Sequence, residues 1–260
     1  MNDEKLLMKL LRNFLCINIK ISRRDLSLII HYSFLIIHNI KLWRKFMSEI
    51  TYDYMEEYIR SLITDREGTL KEIETFAREN NVPIVQKETG VFLEFMTSMK
   101  KPKRILELGT AVGFSAILMY QAAGTEPEIT TIERNEKMVE LATSNLERFN
   151  LSDKIKIEQG DCLEILEKLN EPFDLIFMDA GKGHYNHFLP HCLRLLNKDG
   201  IIVADNVLFR GMVASQELVQ RRKITIVKRM RTYLELVTHD KDLITSVIPM
   251  GDGIAVTKRR

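Results

Sequence analysis

The chain is poor in the residues that staple or interrupt a protein. Its three cysteines, Cys16, Cys162 and Cys192, stand far apart among 260 residues. That scatter excludes a disulfide framework and a paired-cysteine metal site, and it suits a reducing, cytoplasmic setting. Residues 1–46 contain no glycine and no proline, yet they hold the only tryptophan, Trp43. Their longest uncharged stretch, residues 26–40, is fifteen residues long and includes His31, His38 and Asn39. A membrane-spanning helix needs about twenty apolar residues, and no small-residue cleavage site follows the stretch as a signal peptide would require. Internal repeats and low-complexity tracts are missing as well.

What is there divides at Met47. The net charge of +2 conceals a leading segment with nine basic and three acidic side chains, against a remainder that nets −4. Three origins fit residues 1–46: upstream sequence read through from an early start codon in AT-rich DNA, a basic interfacial helix, or a genuine extension that packs on the domain. Residues 47–260 form the domain proper. Its apolar content, within a chain average of 45%, is enough for a sizeable core.

Along this domain helical and strand patterns alternate. Helices are predicted over 52–62, 68–79 and 90–99, and then over 115–122, 136–149, 162–169 and 187–196. Strands are predicted over 104–108, 129–133, 155–158, 175–178 and 201–204. This order predicts a mostly parallel sheet with helices on both faces. A long helix is expected over 217–238. Segments 243–248 and 254–257 flank "PMGDG", whose turn residues suit an antiparallel hairpin at the end of the sheet.

The candidate chemistry lies at strand ends, where open α/β sheets bind ligands. "RILELGTAVGFSA" joins a strand to a helix through Glu107-x-Gly109-x-x-x-Gly113. It differs from the dinucleotide pattern G-x-G-x-x-G: the third glycine is missing, and a carboxylate stands where a pyrophosphate would be repelled. That carboxylate can instead receive a cationic amino-acid end. Glu133 closes the second strand 24 residues after Gly109 and suits ribose hydroxyls. "QGDC", ending at Cys162, closes the third strand where an adenine can lie. Together these point to S-adenosylmethionine and away from a nicotinamide dinucleotide.

"FDLIFMDAGK" ends the fourth strand on Asp179 with Lys182 three residues on, and "IIVADNV" ends the fifth on Asp205-Asn206. Two carboxylates and an amide suit a hard divalent ion such as Mg²⁺ or Mn²⁺. A lysine beside that ion, partly desolvated, can act as general base. Singly, these features are also what a turn, a helix cap or a surface lysine looks like; their joint order on successive strands favours a site. His184, His187 and His191, at spacings of three and four, read as an exposed helix side. Tyr185 and Phe209 fit either a substrate mouth or core packing. A non-catalytic nucleotide- or RNA-binding module would use the same fold without needing Asp179 or Lys182.

"ELGTAVGFSA", "MDAGK" and "ADNVLFRG" resemble the metal-dependent, catechol-type O-methyltransferases, from about residue 50 to the C-terminus. The resemblance implies a Rossmann-like class I methyltransferase fold with a seven-stranded sheet, and often a homodimer. It implies metal ligation by Asp179, Asp205 and Asn206, with Lys182 deprotonating the substrate hydroxyl. It implies cofactor contacts from Val85, Glu107, Gly109, Ser115, Glu133, Asp161, Cys162 and Asp179. Mammalian catechol enzymes carry His-Trp between the aspartate and the lysine, whereas this chain carries Ala180-Gly181, expected to open the pocket and remove an aromatic wall. "NVLFRGMVA" and "RRKITIVKRM" are similar to bacterial enzymes that methylate 5-hydroxyuridine at the tRNA wobble position. A basic stripe of Arg221, Arg222, Lys223, Lys228, Arg229 and Arg231 would then contact tRNA phosphates. The alternative is a small catechol or caffeoyl-type substrate with two adjacent oxygens.

Overall fold

The structure, a computed structural model, describes residues 50–260. The chain divides into two units, Met1–Met47 and Ser48–Arg260, and the described residues all belong to the second. The expectations for residues 1–46 lie outside the described residues. None of the helices among the described residues is long and apolar enough to cross a membrane.

Three helices come first: α1 (Asp53–Ser61), α2 (Gly68–Glu79) and α3 (Lys87–Lys100). The alternating part then runs β1 (Arg104–Leu108), α4 (Phe114–Ala123), β2 (Glu128–Glu133), α5 (Glu136–Arg148), β3 (Ile155–Gln159), α6 (Cys162–Lys168), β4 (Phe173–Met178), α7 (Tyr185–Leu195) and β5 (Leu196–Ala204). A 3₁₀ turn at Arg221–Lys223 leads into α8 (Ile224–His239), and β6 (Leu243–Ile248) and β7 (Ile254–Arg259) close the sheet. The seven strands lie in the order β3-β2-β1-β4-β5-β7-β6, with β1 to β5 parallel and β7 antiparallel to both β5 and β6. The Rossmann-like seven-stranded sheet and terminal hairpin expected from the sequence are therefore what forms.

Strand side chains alternate between faces, so each central strand feeds two cores. Ile105, Ile129, Leu175, Phe177 and Val203 join α2, α3 and α4 through Ile73, Leu93 and Ile117. Leu106, Leu108, Ile176, Met178 and Ile202 join α6, α7 and α8 through Leu166, Leu189 and Met230. This two-sided burial explains why the strands read as nearly continuous apolar runs. Glu107 is the polar exception in the middle of β1.

Two elements depart most from expectation: β5, expected over 201–204, already begins at Leu196, and the last helix starts late. The helix predicted over 217–238 begins only at Ile224. The stretch before it is a loop braced by α8: Arg231 Nε donates to Val213 O at 2.8 Å, Arg231 Nη2 to Met212 O at 3.2 Å and Arg231 Nη1 to Gln216 Oε1 at 3.1 Å. Val227, Met230, Tyr233 and Val237 form the buried face of α8.

Candidate active site

The chain leaves β1 toward β2 and returns on the other side as β4, so a crevice opens between the carboxyl ends of β1 and β4. The loops after these two strands touch. A Cβ on Gly109 (φ +104) would lie 3.1 Å from Ala180 Cβ and 3.2 Å from the carbonyl carbon of Asp179. Glycine is required there by both the approach and the backbone conformation.

A cavity of about 500 Å³ occupies the crevice. Gly109, Ala111, Glu133, Gly160, Asp161, Cys162, Asp179 and Lys182 are among its lining residues. Glu133 is fixed at both oxygens, Oε2 accepting from Ala111 N–H (3.0 Å) and Oε1 from Asn135 N–H (2.9 Å). Its remaining lone pairs face the cavity and can accept from a diol. Asp161 caps α6 by accepting from Leu163 N–H at 2.8 Å. Burial, and then the charges of Asp161 and Glu133, push the Cys162 thiol up to about 12, which leaves it protonated and without nucleophilic character.

Three residues expected at the cofactor stand behind the wall. Val85 packs in the core against the α3–α4 side, and Pro83 takes the cavity face at this point. Glu107 is fully buried, its Oε1 accepting from Ser115 Oγ (2.5 Å) and its Oε2 from Thr131 Oγ1 (2.6 Å). Burial raises its carboxyl to about 7 against those two hydroxyls. Glu107 and Ser115 are thus bonded to each other; an ammonium group reaching the loop between them would favour the ionised form of Glu107.

The sheet brings the expected metal ligands to one edge. Met178 and Ala204 are ladder partners, so Asp179 and Asp205 follow at adjacent strand ends. Asp205 N–H donates to Met178 O at 3.0 Å, and Asp179 N–H donates to Leu108 O at 2.9 Å. Beneath them Tyr185, fully buried, shares its hydroxyl proton between Met178 O (2.8 Å) and Asp205 O (3.0 Å). Tyr185 is therefore a floor under the site rather than part of a mouth. Phe209 is likewise in a small core with Met212 and Val227. Asn206 follows Asp205 in the left-handed region at φ +60.

Desolvation raises both Asp179 and Asp205 above the usual carboxylate range; Glu107 adds to the rise of Asp179 and Asp179 to that of Asp205, and Lys182 opposes both. A third acid faces them: Asp252, in the β6–β7 turn, acts electrostatically on Asp205 and Lys182. "PMGDG" reads as turn chemistry alone, so nothing in the local sequence marks Asp252 as a site residue. Among the described residues no three His, Cys, Asp or Glu side chains converge as a metal cluster. The donor set here is two carboxylates and one amide oxygen. Two repelling carboxylates, one of them 3% exposed, beside a single lysine make a set that a hard divalent cation would relieve.

The small pair Ala180-Gly181 does not leave the cavity without an aromatic wall. A Cβ on Gly181 would lie 3.5 Å from the Phe188 ring, and His184 stacks on Phe188 at 6.1 Å. Both rings line the cavity. His187 meets His184 edge-on and is exposed, as is His184.

The basic stripe is divided. Arg229 Nη1 donates to Gly183 O at 3.1 Å, and Arg231 is spent on the carbonyls of Met212 and Val213. Arg221, Arg222, Lys223 and Lys228 are exposed.

A sequence model of the O-methyltransferase family matches residues 60–260. The chain is 32% identical over 176 residues to a catechol O-methyltransferase of Niastella koreensis, covering 65% of this chain and 80% of that one. It is 28% identical over 203 residues to a caffeoyl-CoA O-methyltransferase of Populus kitakamiensis, covering 75% and 84%. Among solved structures, the O-methyltransferase from Bacillus cereus in complex with S-adenosylhomocysteine superposes with a TM-score of 0.70 at 26% identity, over 80% of this chain and 97% of that one. The Podospora anserina methyltransferase PaMTH1, also bound to S-adenosylhomocysteine, gives 0.73 at 25% identity, over 80% and 94%. With a glycine-turned crevice between β1 and β4 and a matching family model over most of its length, the chain belongs to the O-methyltransferase family and is an S-adenosylmethionine-dependent O-methyltransferase.

Proposed function

We propose that the chain methylates a hydroxyl that stands beside a second oxygen, on a small catechol- or caffeoyl-type molecule, with the help of a divalent ion. The observation that carries this reading is that Asp179 and Lys182 line the same cavity as Glu133, while Asp205 and Asn206 follow the neighbouring strand end. Asp179, Asp205 and Asn206 would hold Mg²⁺ or Mn²⁺, leaving open positions for two substrate oxygens. When bound, the ion lowers the pKa of the hydroxyl it contacts, and S-adenosylmethionine supplies the electrophilic methyl group. The chain's own residues do the rest. Lys182 Nζ receives the hydroxyl proton. Asp179 and Asp205 would bear on that oxygen only through the ion they hold, because bare carboxylates repel the oxyanion left when the proton departs. Glu133 and Asp161 fix the far end of the cofactor, so that the two reacting atoms meet in one orientation.

The catechol and caffeoyl-CoA names of the relatives support this substrate class. The test compares methylation of catechol with that of resorcinol, whose hydroxyls are not adjacent. Catechol turnover with resorcinol near background is expected; equal turnover of both contradicts the chelating substrate.

A second reading, 5-hydroxyuridine at the tRNA wobble position, is favoured by one observation. Four exposed basic residues, Arg221, Arg222, Lys223 and Lys228, stand on the segment that follows the Asn206 loop. The 5-hydroxyl and O4 of that base offer the same pair of adjacent oxygens.

A further inference from the structure

We propose that the β6–β7 turn, through Asp252 and Gly253, is the template that shapes the loop carrying Asn206 and so sets the ion affinity of the site. The inference rests on the metal-assisted reading of the site.

The loop after β5 has an unusual backbone. Asn206, Phe209, Arg210 and Gly211 all have positive φ, at 60, 45, 55 and 72 degrees. Three of them carry side chains, and for Phe209 and Arg210 this left-handed conformation is disfavoured. A loop of this kind needs outside support. Its own backbone bonds, Phe209 N–H to Asn206 O (3.3 Å), Met212 N–H to Phe209 O (3.1 Å), Val213 N–H to Leu208 O (3.4 Å) and Ala214 and Ser215 N–H to Gly211 O (3.0 Å each), leave the amides of Val207, Leu208 and Arg210 for partners outside the loop.

The support comes from two residues that lie far along the chain. Val207 N–H donates to Gly253 O at 2.9 Å, and Leu208 N–H donates to Asp252 O at 3.0 Å. Arg210 N–H donates to the Asp252 carboxylate. Three donors of the strained loop are thereby satisfied by one dipeptide. The contact is also steric. A Cβ on Gly253 (φ +86) would fall 2.4 Å from Leu208 Cγ, so only glycine lets the two segments approach.

The turn itself has firm backing. A Cβ on Gly251 would lie 3.0 Å from Thr89 Oγ1 on α3 and 3.5 Å from Gln86 Oε1. Gln86 in turn accepts from Arg60 Nη2 of α1 at 2.7 Å. Wedged between the first helices and the Asn206 loop, the turn cannot retreat. Displacement of the loop would carry Asn206, and with it the Asp205 strand end, out of register with Asp179. Asp252 is thus a positioning residue: it touches the loop's backbone, and its effect on the ion runs through Asn206.

The experiment uses the full chain with Asp252→Ala, Asp252→Asn and Gly253→Ala. Asparagine keeps an oxygen to accept from Arg210 N–H, whereas alanine removes it. Three quantities are read: Mn²⁺ uptake by calorimetry with S-adenosylhomocysteine present, S-adenosylhomocysteine affinity alone, and amide hydrogen exchange over residues 206–212. Asp252→Ala and Gly253→Ala should weaken Mn²⁺ binding by about 10- to 100-fold, the range for outer-sphere partners of metal ligands. They should also speed exchange across the loop while leaving S-adenosylhomocysteine affinity unchanged. Asp252→Asn should keep the exchange protection and lose less affinity than Asp252→Ala. Wild-type exchange and Mn²⁺ uptake in Asp252→Ala overturn the proposal. So do equal losses in the alanine and asparagine variants with protection intact, which would mark a charge effect. If Gly253→Ala does not fold, the Asp252 pair decides alone. If the unaltered chain takes up no Mn²⁺, the metal-assisted reading falls and the inference with it; uptake that ignores the variants sinks the inference only.

Discussion

At the scale of single residues, the site is a set of carboxyl groups held in unfavourable surroundings. Glu107 is the clearest case, because both of its oxygens are accounted for and no cation adjoins it. Its folded-state pKa of about 7 lies above the ordinary 4.5, so the folded protein holds an extra proton between those values. Stability from this group is complete at the acid end and is lost as pH rises through about 7. The thermal midpoint of protein free of ion and cofactor should therefore fall between about pH 5 and 8, and Glu107→Gln should flatten part of that fall. Parallel curves for the two proteins would contradict this account. The strand ends that carry the candidate residues are legible in the sequence, because glycines and apolar runs mark them. Their surroundings are not. Thr131, which occupies one side of Glu107, belongs to another strand, and Asp252 reaches the site from a turn 46 residues beyond Asn206. Such pairings depend on how the chain closes, and no local pattern encodes them.

At the scale of elements, regular strands and helices announced themselves through periodicity, while their ends and braces did not. The expected 217–238 helix begins only at Ile224, behind a loop that Arg231 braces at Val213 O. The basic residues there looked like one stripe, yet two of them are internal struts. Tyr185 is another brace that the sequence left ambiguous. One hydroxyl ties the ends of β4 and β5, the two strands that deliver Asp179 and Asp205. Tyr185→Phe removes that tie at little steric cost. We expect a loss of about 1 kcal/mol in unfolding free energy, since Met178 O keeps its bond from Asp205 N–H and only Asp205 O loses the tyrosine's donor. Calorimetry should show weaker Mn²⁺ binding with S-adenosylhomocysteine affinity retained. Unchanged Mn²⁺ affinity would reduce Tyr185 to a packing role.

At the scale of the whole molecule, the parallel sheet collects chemistry at one edge, and the antiparallel hairpin returns the chain to that edge. The two faces of the sheet carry separate cores, so the crevice between β1 and β4 is framed from both sides. The fold class could be read from the alternation of patterns. The substrate could not, because it depends on what approaches the open edge. Reversing charge at Arg221, Arg222 and Lys228 separates the two substrate readings. The variant should keep its turnover of catechol. If the tRNA reading holds, transfer to tRNA carrying 5-hydroxyuridine should drop steeply and lose its salt dependence. Undiminished transfer to that tRNA in the variant would leave the basic segment without a part in substrate binding.

The most direct test of the central claim is methyl transfer to catechol after exhaustive treatment with EDTA. The account predicts that transfer stops while S-adenosylhomocysteine still binds, and that Mg²⁺ or Mn²⁺ restores it in the unaltered chain but not after Asp205→Ala. Transfer that continues at full rate in the stripped protein would contradict the claim that Asp179, Asp205 and Asn206 work by holding an ion.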